Sequence, residues 1–97
     1  MPSAPADVVA KIEERKAVLN AIKEELVERL ELEFEPSDID DDTFLFGGGL
    51  SLDSIDSMEI IIGMQGRFGV MIPEDDSSPL RTINTLADFV IQEGGTV

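Results

Sequence analysis

With 97 residues, a formal net charge of −14 and a hydrophobic content of 42%, the chain has room for one modest core beneath a self-repelling acidic surface. It contains no His and no Cys, which removes Ser-His-Asp and Cys-His relays and the ordinary zinc sites. Ten acidic residues and no Lys or Arg lie between Leu30 and Gly66, so nucleic acid, which needs a basic footprint, is an excluded partner class and a basic protein surface is the natural complement.

The first residues, Met1-Pro2-Ser3-Ala4-Pro5-Ala6-Asp7, carry no basic n-region followed by an apolar run. No later apolar segment is long enough to span a membrane. A cytoplasmic protein is expected, and the absence of Cys agrees with a reducing compartment. One domain over residues 1–97 is expected, with residues 1–6 and 94–97 as flexible tails.

From about Asp7 to Leu32, Val8, Ile12, Leu19, Ile22, Leu26 and Leu30 recur at helical spacing between charged residues, which predicts a long amphipathic helix. Glu25 and Arg29 stand four apart in the favourable order, and Pro36 places the helix end near Leu32 to Glu35. Pro36 to Asp53 then reads as a long loop, with Asp38, Asp40, Asp41 and Asp42 followed by Phe44-Leu45-Phe46 and Gly47-Gly48-Gly49. Such a loop is either functional or held by its own apolar residues, and Phe44, Phe46, Leu50 and Leu52 are the expected anchors.

A second helix is predicted from Asp53 or Ser54 to Phe68. Asp53 suits the N-cap, Asp56 stands in the capping-box position, and Gly69 stops the helix. Winding it at about 100° per residue puts Ile60, Ile61, Met64 and Phe68 on one face and Ile55, Met58 and Ile62 on another, beside Asp56 and Glu59. The first stripe reads as core. The second is either an adaptable docking face or a surface covered by Phe44, Phe46 or Leu50.

After Val70-Met71-Ile72-Pro73 comes an acidic turn, Glu74 to Pro79, with room for a short helical turn. Thr82 or Asn84 caps a last helix carrying Ile83, Leu86, Phe89 and Val90, and Gly94-Gly95 ends it. Nothing requires a sheet. The predicted fold is all-α, a bundle of three main helices plus one short helix.

Several chemical readings fail on the residues. Asp38, Asp40 and Asp42 imitate the opening of a calcium loop, but Thr43 and Gly49 occupy the places of its Gly and Glu, so no metal site is expected. The glycine triplet lacks the Gly-Lys-Ser/Thr of a phosphate loop. A lysine base for Ser54 is not expected, because Lys11, Lys16 and Lys23 all lie on the first predicted helix. Two readings of Ser54 stay open at this level: a helper to the Asp53 cap, or a site of modification where helix-start N–H groups favour an attached anion.

The segment Gly49-Leu50-Ser51-Leu52-Asp53-Ser54-Ile55-Asp56-Ser57-Met58-Glu59 resembles the phosphopantetheine attachment site of acyl carrier proteins. Arg67 to Asp75 resembles that family's second-helix end, and Thr82 to Val90 its last helix. The resemblance implies a four-helix carrier bundle, no catalysis, and 4'-phosphopantetheine from coenzyme A joined covalently to Ser54, with Asp53 read by the transferase. Acyl chains would ride as thioesters. The implied partners are a phosphopantetheinyl transferase and acyl-processing enzymes such as ketosynthases, acyltransferases and reductases, docking on Ile55, Asp56, Met58, Glu59 and Ile62 of a monomer. Gly47-Gly48-Gly49, Gly63, Gly66 and Pro79 depart from the commonest fatty-acid carriers and leave fatty acid, polyketide and specialised lipid synthesis open. The competing reading is an unmodified acidic helical adaptor for a basic partner.

Overall fold

The computed structural model describes residues 6–46, 50, 52–73, 76 and 78–95, the first four by backbone alone. Three α-helices, α1 (Ala6–Arg29), α2 (Ser54–Phe68) and α3 (Ile83–Gln92), are joined by two 3-10 turns at Pro36–Asp38 and Ser78–Leu80. Among the described residues there is no strand, only two isolated bridges, Phe44 with Thr82 and Phe46 with Leu52. The all-α bundle of three main helices is the predicted one, its short helix being the 3-10 turn before α3.

Helix lengths decide what is buried. At about 1.5 Å per residue the 24 residues of α1 span roughly 36 Å, against about 22 Å for the 15 of α2 and about 15 Å for the 10 of α3. The apolar core lies along the second half of α1, where Val18, Leu19, Ala21, Ile22 and Leu26 are buried, and before it Arg15 donates to Asn84 and Asp88 of α3. Ile12, on the predicted apolar face, is half exposed, lying before the buried stretch that begins at Val18.

The end of α1 falls about one turn earlier than Pro36 alone suggests. Glu31 takes a left-handed φ of 51°, and the Leu32 N–H donates to the Val27 carbonyl at 3.0 Å, a six-residue helix-ending cap. At the other terminus the same device recurs with glycine. Gly94, at φ 81°, lets Gly95 N–H return to the Val90 carbonyl at 2.8 Å, and Gly95 is buried beside Val90 and Val70. Gly94 and Gly95 therefore close α3 rather than begin a tail, while 1–5 and 96–97 lie outside the described residues.

The long loop is docked, although not by all the residues expected to anchor it. Leu45 and Ile39 are buried, Phe46, Leu50 and Leu52 pack partly against the core, and Phe44 points out, 54% exposed. The register comes from the backbone: Leu45 N–H donates to the Arg81 carbonyl at 2.9 Å and Leu52 N–H to the Leu45 carbonyl at 3.1 Å. Asn84 adds a polar pin, its N–H donating to the Asp41 carbonyl at 2.8 Å and its side-chain amide to Asp42 at 2.7 Å. The glycine triplet lies outside the described residues.

Thr82 caps α3, its hydroxyl accepting the Thr85 N–H at 3.1 Å. Before it, hydrogen bonds from Ser78 hold the Asp76 carboxyl below its ordinary 3.8. A lowered carboxyl stabilises the fold above its unfolded value, and that contribution disappears as pH falls through the lowered one.

The two interior glycines of α2 differ. The helix runs unbroken through both, but a Cβ at Gly66 would meet nothing within 4 Å, whereas one at Gly63 would meet the side chains of Arg29 and Glu25. Gly66→Ala is expected to stabilise the fold by about 1 kcal/mol through helix propensity alone. The check is a urea midpoint that rises with unchanged m; an unchanged midpoint contradicts it.

Candidate functional site

The site is the start of α2, and local chemistry builds it. Asp53 stays extended at φ −110° and ψ −175°, so its carboxylate turns back over the first turn. Its Oδ1 accepts the N–H groups of Ile55 and Asp56, each at 3.0 Å, and Asp56 Oδ2 accepts the Asp53 N–H at 3.0 Å. This is the capping box expected from the spacing. It has a consequence for Ser54: two of the helix-start amides that would favour an attached anion are already used by Asp53.

Ser54 is the first residue of α2 and is exposed. Ser57, one turn on, donates its hydroxyl to the Ser54 carbonyl at 2.7 Å and is less exposed. Ser51 lies outside the described residues. A hydroxyl at an exposed helix start has room for a bulky attached group. The chain has no His to serve as its base.

Along the helix, Ile60 and Met64 are fully buried and Phe68 nearly so, while Ile55, Met58 and Ile62 are 72%, 54% and 51% exposed. The loop does not cover this stripe. Asp56 and Glu59 flank it and are half-buried. The helix closes at Gly69, φ 73°, whose N–H returns to Gln65 at 2.9 Å.

One residue beside the site is not evident from its spacing. Arg29 pairs with Glu25 at 2.6 Å, as the four-residue interval predicts, and also reaches from α1 to Glu59 at 3.4 Å. Glu25 first, and Glu59 after it, raise the Arg29 pKa above its ordinary value. The only available signal was Gly63, a helix-interior glycine at a helix crossing.

The loop carboxylates have structural work. Asp41 pairs with Lys23 at 2.6 Å, Asp42 accepts from Asn84, and Asp38 accepts the Glu35 N–H at 3.1 Å. Among the described residues no group of three or more acidic side chains is placed to hold a metal ion. An open groove of about 390 Å³ runs along α3, lined among others by Asp76, Ser78, Asp88 and Glu93, and there Ser78 donates its N–H to the Asp76 carboxylate. No helix among the described residues is long and apolar enough to cross a membrane.

Asp53→Ala removes the cap and is expected to cost about 1 kcal/mol, whereas Asp53→Asn keeps an equivalent cap acceptor. Asp53→Asn is therefore expected to melt like the parent, and a loss equal to that of Asp53→Ala contradicts the capping role.

A model of the phosphopantetheine attachment site family matches residues 20–90. The chain is similar to an acyl carrier protein of Thermosynechococcus vestitus, 38% identical over 45 residues, covering 46% of this chain and 56% of that one. Mitochondrial acyl carrier protein 2 of Arabidopsis thaliana is 33% identical over 45 residues, 46% of this chain and 36% of that one. An acyl carrier protein of Chlorobium phaeobacteroides is 29% identical over 48 residues, 50% of this chain and 62% of that one. The matched segments thus span between about a third and two-thirds of these relatives. No solved structure matches.

Proposed function

The chain belongs to the phosphopantetheine attachment site family, and from that membership we propose that Ser54 is the attachment serine of an acyl carrier. The observation that carries the reading is an exposed serine opening α2, directly after its Asp53 cap and inside the matched segment. The family's group is 4'-phosphopantetheine, held covalently. It supplies a thiol on a long arm, on which an acyl group is carried as a thioester, chemistry that a chain without Cys lacks.

The residues divide the remaining work. Ser54 provides the oxygen, Asp53 fixes the backbone that presents it and is read by the transferase, and the helix start keeps the arm at the solvent edge. Ile55, Met58 and Ile62 provide contact to partner enzymes, while Asp56 and Glu59 steer basic surfaces toward them. The chain transports and does not catalyse. Its proposed partners are a phosphopantetheinyl transferase and the ketosynthases, acyltransferases and reductases of fatty acid, polyketide or specialised lipid synthesis. A cytoplasmic monomer suits this role.

The test is intact mass before and after incubation of unmodified protein with coenzyme A, magnesium and a broad-specificity phosphopantetheinyl transferase. Gain of one phosphopantetheine is expected. No gain, while a control carrier is modified in the same reaction, leaves the acidic adaptor. If docking is charge-steered, the transferase KM rises between low salt and 0.15 M, where screening acts within about 8 Å; a salt-independent KM contradicts the acidic face.

A further inference from the structure

Gly63 is buried midway along α2, and the space before it is filled from α1. A Cβ there would stand 2.8 Å from Arg29 Nε and 2.9 Å from Glu25 Oε2, closer than real Cβ contacts permit. Gly63 is therefore a notch in which the Arg29–Glu25 pair lies across the second helix. From it Arg29 Nη1 reaches Glu59 Oε2 at 3.4 Å, on the flank of the exposed Ile55, Met58 and Ile62 stripe.

The two contacts of Arg29 are unequal. Glu25 is held at 2.6 Å with its side chain 15% exposed, and Arg67 stands 3.6 Å from its other oxygen. Glu59 is held at the longer distance with its side chain 45% exposed. The Glu59 contact is the exchangeable one, and an exposed pair of this kind is weak enough to be displaced.

We infer that Arg29, seated in the Gly63 notch, is a built-in competitor for Glu59, which a basic protein partner docking on α2 must displace with its own Lys or Arg. The inference rests on the proposed docking role of α2. Arg29 lowers the charge the face offers and so sets a threshold: a weakly basic surface gains little from Glu59, and a strongly basic one wins the exchange. Because guanidinium stays protonated at any physiological pH, the threshold does not change with acidity.

The probe is a synthetic amphipathic helical peptide rich in Arg and Lys, titrated against the unmodified chain at low salt. Arg29→Gln is expected to tighten binding about two- to fivefold relative to Lys16→Gln, an exposed α1 position with the same charge change. Gly63→Ala, which closes the notch, moves affinity in the same direction, and in a Glu59→Gln background the Arg29 effect vanishes. Urea curves establish that each variant is folded in the assay. Equal affinities for Arg29→Gln and Lys16→Gln, or an Arg29 effect that survives without Glu59, overturn the inference. Transferase labelling of the same samples tests the carrier reading separately, since the peptide result does not require modification.

Discussion

Ser54→Ala is expected to abolish phosphopantetheine attachment and every carrier activity while leaving the fold intact. The stability side follows from the cap. Asp53, not Ser54, accepts the Ile55 and Asp56 amides, and alanine is the better helix former, so the urea midpoint should shift by no more than about 0.5 kcal/mol equivalent. The chemical side follows from position. Ser57 faces back to the Ser54 carbonyl and does not open the helix, so it is a poor substitute acceptor. Intact mass and acyl loading, measured beside a urea curve, check both halves. A variant that still gains one phosphopantetheine moves the attachment site elsewhere, and a marked fall in midpoint shows Ser54 to be structural.

Leu45→Ala should produce the largest loss of stability of any loop substitution. Its side chain is fully buried, and removing a buried leucine costs about 2 to 5 kcal/mol, a large part of the roughly 5 to 15 kcal/mol that holds a small domain together. The neighbouring aromatic makes the contrast. Phe44→Ala, at an exposed position, should change stability by no more than about 0.5 kcal/mol. Leu45 also bears on the site, because its carbonyl accepts the Leu52 N–H two residues before Ser54. A loosened Leu45 variant that remains folded should be modified more slowly at Ser54. Denaturant curves for the two variants decide the matter, and equal losses contradict the observed register.

The contrast between α2 and the loop before it shows how far the chain could be read unaided. The bounds of α2 were legible because both of its stops are local: Asp53 with Asp56 at one end, and a left-handed Gly69 at the other. Its two apolar stripes were legible because a helix fixes the angle between successive side chains. Phe44-Leu45-Phe46 has no such internal rule. Whether the leucine or the phenylalanines face inward depends on pairing with Arg81 and Thr82, almost forty residues away; of the four expected anchors Phe46, Leu50 and Leu52 pack against the core, Phe44 does not, and Leu45 is buried instead. The end of α1 is illegible for a related reason: Glu31 adopts a left-handed conformation that favours glycine, and a glutamate gives no signal of it.

By itself, then, the sequence determined the all-α class, the cap that begins α2, the acidic character of the surface and the serine that opens α2, and it narrowed the α3 cap to Thr82 or Asn84. These depend on interactions within one or two turns, or on composition. Tertiary structure alone decided which loop residue is buried, how much of α1 is left uncovered, and that Gly63 is a seat for Arg29 whereas Gly66 faces open space. Those outcomes depend on where one element stops against another, and the distance between two helix surfaces is a property of their packing, which neither segment encodes alone.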